Sequence, residues 1–195
     1  MANGRPVVPA KKGGLPGWVM ILIAVAISIP FLGIVAAIAI PGMLHARMAG
    51  NEASAIAALR AIASAQAVYS ASCAGGLYAR SLPVLGKGPT DGRGGPFVSP
   101  DLASAERVQR SGYIYRIEAS VFANDGPAVG LVAPPCNGVD AQAVSKSYVA
   151  RAEPVGPATG RRFFATNESG TVYQSIEPIT FGPDGAANSP AAPVQ

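Results

Sequence analysis

WVMILIAVAISIPFLGIVAAIAI, residues 18–40, is the stretch from which the rest of the chain is read. It contains no charged residue, and no Asp, Glu, Lys or Arg occurs between Lys12 and Arg47. As a helix at about 1.5 Å per residue it would be about 35 Å long. That is enough to cross a hydrocarbon core of about 30 Å with some tilt. Pro30 and Pro41 lie inside the pattern, and each removes a backbone donor and loosens the turn before it. Gly33 and Gly42 add to this, while Ser28 can return its hydroxyl to a carbonyl. In lipid such breaks survive where neighbours satisfy the freed backbone groups. The reading is a transmembrane helix over 18–41.

Beyond it the pattern changes. Between His45 and Cys73, Ile56, Leu59, Ile62, Ala65 and Tyr69 recur at three- and four-residue steps, with Asn51, Glu52, Arg60, Ser64 and Ser70 between or beside them. This is an amphipathic helix with one face to bury, a continuation of the first over 42–74. Gly75-Gly76 supplies the stop.

Residues 1–17 are rich in Pro and Gly and are basic, so they read as a disordered tail. Arg5, Lys11 and Lys12 precede the apolar stretch and place that end in the cytoplasm, with the C-terminal domain exported. A cleaved signal peptide is the alternative, with Ala37-Ile38-Ala39 as a small-x-small site. The apolar stretch is longer than a usual signal core, which favours the anchor.

The remaining domain spans 75–177. The chain has 23 Gly and 18 Pro, and only 13% of its residues are charged, so this domain is expected to be rich in loops. LYARSLPVLG (77–86) holds one helical turn and KGPTDGRGGP (87–96) reads as loop. SPDLASAERV (99–108) reads as a short helix capped by Ser99, with Pro100 in its first turn. Strands follow. GYIYRIEASV (112–121) puts Tyr113, Tyr115 and Ile117 on one face, and residues 123–144 form a Gly- and Pro-rich loop. KSYVARAEP (146–154) is a strand stopped by Pro154. RRFFAT (161–166) and TVYQSI (171–176) flank Asn167-Glu168-Ser169-Gly170, a hairpin signal. Residues 178–195 are expected to be a flexible tail lying loosely on the surface. The fold class is α+β, a long N-terminal helix packed on an antiparallel sheet. Cys73 and Cys136 are the two cysteines. Each sits in a loop of small residues, and a pair in an exported domain reads as a disulfide, with two buried thiols as the alternative.

IVAAIAIPGMLHARMAGNEASAIAALRAIASAQAVYSAS resembles the N-terminal helix of bacterial type IV pilins and of the pseudopilins of type II secretion. The motif reads here Gly33-Ile34-Val35-Ala36-Ala37-Ile38-Ala39-Ile40-Pro41. SGYIYRI, YVARAEPVGPATGRRFF and NESGTVYQ are similar to strand segments of a subgroup of pilin-like proteins. The likeness covers roughly residues 31–176 and implies a pilin-like fold. It also implies that Gly33, Ala36, Ala37, Ile38, Ala39, Ile40 and Pro41 form an assembly helix against neighbouring subunits. The family's leader ends in a glycine at the place held here by Val19, and its assembly glutamate falls at Ala24. Gly17-Trp18 is a glycine–aromatic pair two places early, with no acidic residue after it in the span. This departure fits a chain kept as a single-pass anchor.

The catalytic constellations are sparse. His45 is the only histidine and stands near the expected membrane interface. Without it no Ser-His-Asp set exists, and two distant cysteines do not make a zinc site. There is no phosphate-binding G-x-x-x-x-G-K-[ST] loop. Asp91, Asp101, Asp125, Asp140 and Asp184 are isolated in loops and lack calcium-loop spacing. Arg161-Arg162 beside Phe163-Phe164 could meet a nucleic-acid strand, but strand alternation accounts for the pattern more simply, and no nucleic-acid partner is expected. No cofactor and no metal is expected.

The sequence therefore predicts a non-enzymatic, structural, pilin-like or pseudopilin-like component of a type IV pilus or type II secretion assembly. It would sit in the bacterial inner membrane, with the lipid bilayer and other pilin-like subunits or assembly components as partners. The alternative is a membrane-tethered periplasmic binding or sensing module on a pilin scaffold that does not polymerise.

Overall fold

The computed structural model describes residues 13–14, 16–119, 134–188 and 190–194, with the side chains at 31, 32, 35, 36 and 38 outside that description. Arg5, Lys11 and Lys12, most of the basic tail, Asp125 and the first half of the expected loop at 123–144 lie outside the described residues. The chain divides into two units, Met1–Met43 and Leu44–Gln195.

Helix α1, Gly17–Ser72, runs through Pro30 and Pro41 without ending. In the first unit its described side chains are almost all exposed, among them Trp18, Ile21, Leu22, Ile29, Ile34 and Ile40. Among the described residues no helix is long and apolar enough to cross a membrane. The five side chains outside the description fall in the middle of the stretch expected to do so.

In the second unit α1 is amphipathic, as the three- and four-residue spacing predicts. Ala55, Leu59, Ile62 and Tyr69 are fully buried, Ala58 and Ala65 nearly so, and Ile56 is half-buried. Of the polar residues between or beside that stripe, Glu52 and Ser70 are buried. After Ser72 the amides of Ala74 and Gly76 bond the carbonyls of Tyr69 and Ser70, and Gly75 and Gly76 take positive φ of 58° and 93°. These angles suit glycine and close the helix.

Among the described residues eight strands follow in chain order: β1 Tyr78–Ala79, β2 Arg107–Arg110, β3 Tyr113–Ala119, β4 Val144–Ser145, β5 Tyr148–Pro154, β6 Phe163–Asn167, β7 Val172–Ser175 and β8 Ala192–Pro193. A six-stranded sheet has the order β2-β3-β5-β6-β7-β8, every neighbour antiparallel, and β1 pairs with β4 in a small second sheet. One helical turn, α2 Leu82–Leu85, forms where LYARSLPVLG predicts it.

The main core joins the buried face of α1 to one face of the large sheet. Val108, Tyr113, Tyr115, Ile117, Ala150, Ala152, Phe164 and Val172 supply the sheet side. A second cluster covers the other face, where Ile179 and Phe181 pack with Val149 and Ala165.

Two expectations are corrected. SPDLASAERV does not form a helix; its Ser99 carbonyl closes a single turn, and the chain becomes strand β2 by Arg107. Ser111 and Gly112 both have positive φ, 47° and 72°. A two-residue turn of that kind matches strand twist and drives hairpin pairing, so RVQR pairs with YIYR. The tail is also more structured than its composition suggests. Ile179 and Phe181 are buried, Arg151 donates to the Ile179 carbonyl, and Val194 donates to Val172 as β8 forms.

Candidate functional site

Two features of the chain bear on function: the bare apolar part of α1, and the contacts within the second unit that pin its strands and loops onto its own part of that helix.

In the first feature, Gly33, Ala37, Ala39, Ile40 and Pro41 are exposed; the side chains of Ala36 and Ile38 lie outside the described residues. A Cβ added at Gly33 or Gly42 would meet nothing within 4 Å, so no described residue packs against those two positions. A helix apolar on all sides is at home in lipid or among other helices. His45 stands just beyond, exposed.

The second feature begins at Glu52. It lies three residues before Ala55 and seven before Leu59, on the buried stripe, and is only 8% exposed. A carboxylate there requires partners. Arg162 supplies two contacts to Glu52 Oε2, at 2.8 Å from Nε and 2.5 Å from Nη2, and the Arg161 amide donates to Oε1 at 3.2 Å. Arg162 also donates to Gln174, and its guanidinium stands 5.7 Å from the centre of the Phe164 ring. Burial pushes the Glu52 carboxyl up, but the hydrogen bonds from Arg162 and Arg161 outweigh it and hold the group below its ordinary value. Asn51 donates to the Thr159 carbonyl at 2.9 Å, and Tyr113 donates to the Arg162 carbonyl at 2.9 Å. The segment 159–162 is thus held on α1 at several points. The pair was readable in the sequence: a glutamate at i, i+3, i+7 with apolar residues signals a buried charge, and Arg162 is a strand-start cation.

Farther along α1, Gln66 is fully buried and bonds both the amide and the carbonyl of Ala79, so it binds β1 like a neighbouring strand. Cys73 and Cys136 form the disulfide. Asn137 beside it accepts from the Tyr69 hydroxyl and donates to the Val84 carbonyl. The Cys136 carbonyl receives the amide and hydroxyl of Thr90.

No family model, curated protein or solved structure matches this chain. Among the described residues no group of His, Cys, Asp and Glu could hold a metal ion. Arg161 and Arg162 do not form a free basic patch, because Arg162 is committed to Glu52. Phe164 is in the core and Phe163 half-buried, as strand alternation predicts.

Proposed function

We propose that the chain is a single-pass protein of the bacterial inner membrane, with its N-terminus cytoplasmic and its second unit outside. It acts without catalysis, as a pilin-like or pseudopilin-like component of a type IV pilus or type II secretion assembly. The observation that carries this reading is the exposure of the apolar residues along the first part of α1. So large an apolar surface is stable in lipid or against other helices and unfavourable in water. Two further points support it: the likeness of residues 33–41 to the pilin assembly helix, and the α+β architecture with an antiparallel sheet. Ala24, at the place of the family's assembly glutamate, favours a second reading: a tethered binding or sensing module that does not polymerise.

The test is the intact mass and N-terminal sequence of the protein taken from membranes, together with recovery of partners from detergent extracts. A chain starting near Trp18 or Met20 with a methylated amine, and copurifying pilus or secretion components, is the expected result for an assembly subunit. A chain starting at Met1 or Ala2 with no such components selects the tethered module. Recovery of the full-length protein wholly in the soluble fraction would remove both.

A further inference from the structure

A cleft of about 340 Å³ opens between α1, strands β1 and β5, and the turn joining β6 to β7. It is within the size range of small-molecule sites. Arg60 enters from α1 and Glu168 from the turn; Tyr78 and Tyr148 line the wall. Arg60 and Glu168 form no ion pair with each other, and neither side chain has a hydrogen-bond partner among the described residues. Among the described residues the cleft therefore presents a cation and an anion with no ion-pair partner, held on separate elements. In the same cleft the two tyrosine rings sit 5.1 Å apart, centre to centre, tilted by 49°. Tyr148 is 1% exposed, so its position is set by the core. Burial pushes its phenol up, with Tyr78 and Glu168 adding to the effect.

We propose that this cleft binds an α-amino acid with an aromatic side chain. The ligand carboxylate meets Arg60, its ammonium meets Glu168, and its ring lies against Tyr78, which the buried Tyr148 backs. A neutral ligand would leave both charges in water, and a ligand with one charge would leave one of them unmatched. Arginine suits a planar carboxylate, and tyrosine pairs favour offset or edge contacts with a further ring. This site is independent of any role in assembly, and neither reading of the exposed helix requires it.

The test is calorimetric titration of the full chain in detergent with L-phenylalanine, phenethylamine and 3-phenylpropionate. The last two carry the same ring with one charge each. L-Phenylalanine is expected to bind saturably, and each analogue about tenfold more weakly, roughly the loss of one such charge contact. Arg60→Gln should abolish the preference over phenethylamine, and Glu168→Gln the preference over 3-phenylpropionate. Both residues are exposed, and unchanged circular dichroism would verify that the variants fold. Absence of saturable heat with L-phenylalanine up to about 10 mM, equal binding of all three compounds, or unaltered preferences in both variants would overturn the proposal.

Discussion

Glu52 is a buried charge among the described residues, and its removal should be felt. Glu52→Gln keeps the size but loses the charge, leaving Arg162 without its anion. Breaking a buried pair costs about 3–5 kcal/mol, but Arg162 is 42% exposed at its side chain. Solvent screening reduces the expected loss to about 1–2 kcal/mol. Because the folded-state carboxyl titrates below its ordinary 4.5, this contribution is present above that pH and is lost as pH falls through the lower folded value. Thermal melts of both proteins should therefore differ at neutral pH and converge towards acid. Tyr115 behaves in the opposite sense. Its hydroxyl is buried with no hydrogen-bond partner among the described residues, and burial pushes it up to about 12. Tyr115→Phe should be neutral or stabilising by about 1 kcal/mol. It should also flatten the loss of stability that the parent shows as pH rises from its ordinary 10 through about 12, since the unfolded phenol ionises first. Chemical denaturation at pH 8 and pH 11 would check both parts.

At the scale of elements, periodicity was a reliable guide wherever a run was long. The stripe from Leu59 to Tyr69 and the alternation from Tyr113 to Ile117 are buried as their spacing predicts. Short pieces escaped. β1 and β4 have two residues each, too few for a pattern, and β1 is held by the Gln66 amide rather than by its own composition. Strand β2 was obscured by helix-start residues at Ser99 and Pro100, although Ser111-Gly112 was the stronger local signal. Glu52 was legible only by asking which face it occupies. The cover formed by Ile179 and Phe181 was hidden in a run of Gly and Pro that resembles a loose tail. The β2–β3 turn offers a direct test. A Cβ at Gly112 would stand 2.8 Å from both Asn51 Nδ2 and Thr159 Cβ, on a backbone with φ of 72°. Gly112→Ala should cost about 2 kcal/mol, combining conformational strain with local overpacking. The loss should appear as a lower melting temperature with the far-ultraviolet spectrum unchanged below the transition.

For the whole molecule, every residue of the described buried core comes from Ala55 onward. Removal of residues 1–43 is expected to leave the melting temperature of the second unit within about 2 °C of the parent value, a change of roughly half a kcal/mol or less. The same truncation should abolish membrane association, measured by flotation with vesicles. A truncated chain that fails to fold would mean that the first unit contributes to the core. Cys73→Ser with Cys136→Ser is expected to lower stability by about 4 kcal/mol, the chain-entropy value for a bond between residues 63 apart, measured as a shift in the denaturant midpoint.

That bond also imposes an order on the life of the protein. Its span encloses β1, α2, β2 and β3, so the last large gain in stability waits until two thiols are oxidised. In a compartment that keeps thiols reduced, a newly made chain would remain a weaker version of itself, open to proteases. If the second unit is exported, as proposed above, export and maturation would be joined in one chemical step: a copy that failed to leave the cytoplasm would also be a copy that never finished folding, and quality control would need no separate signal to find it.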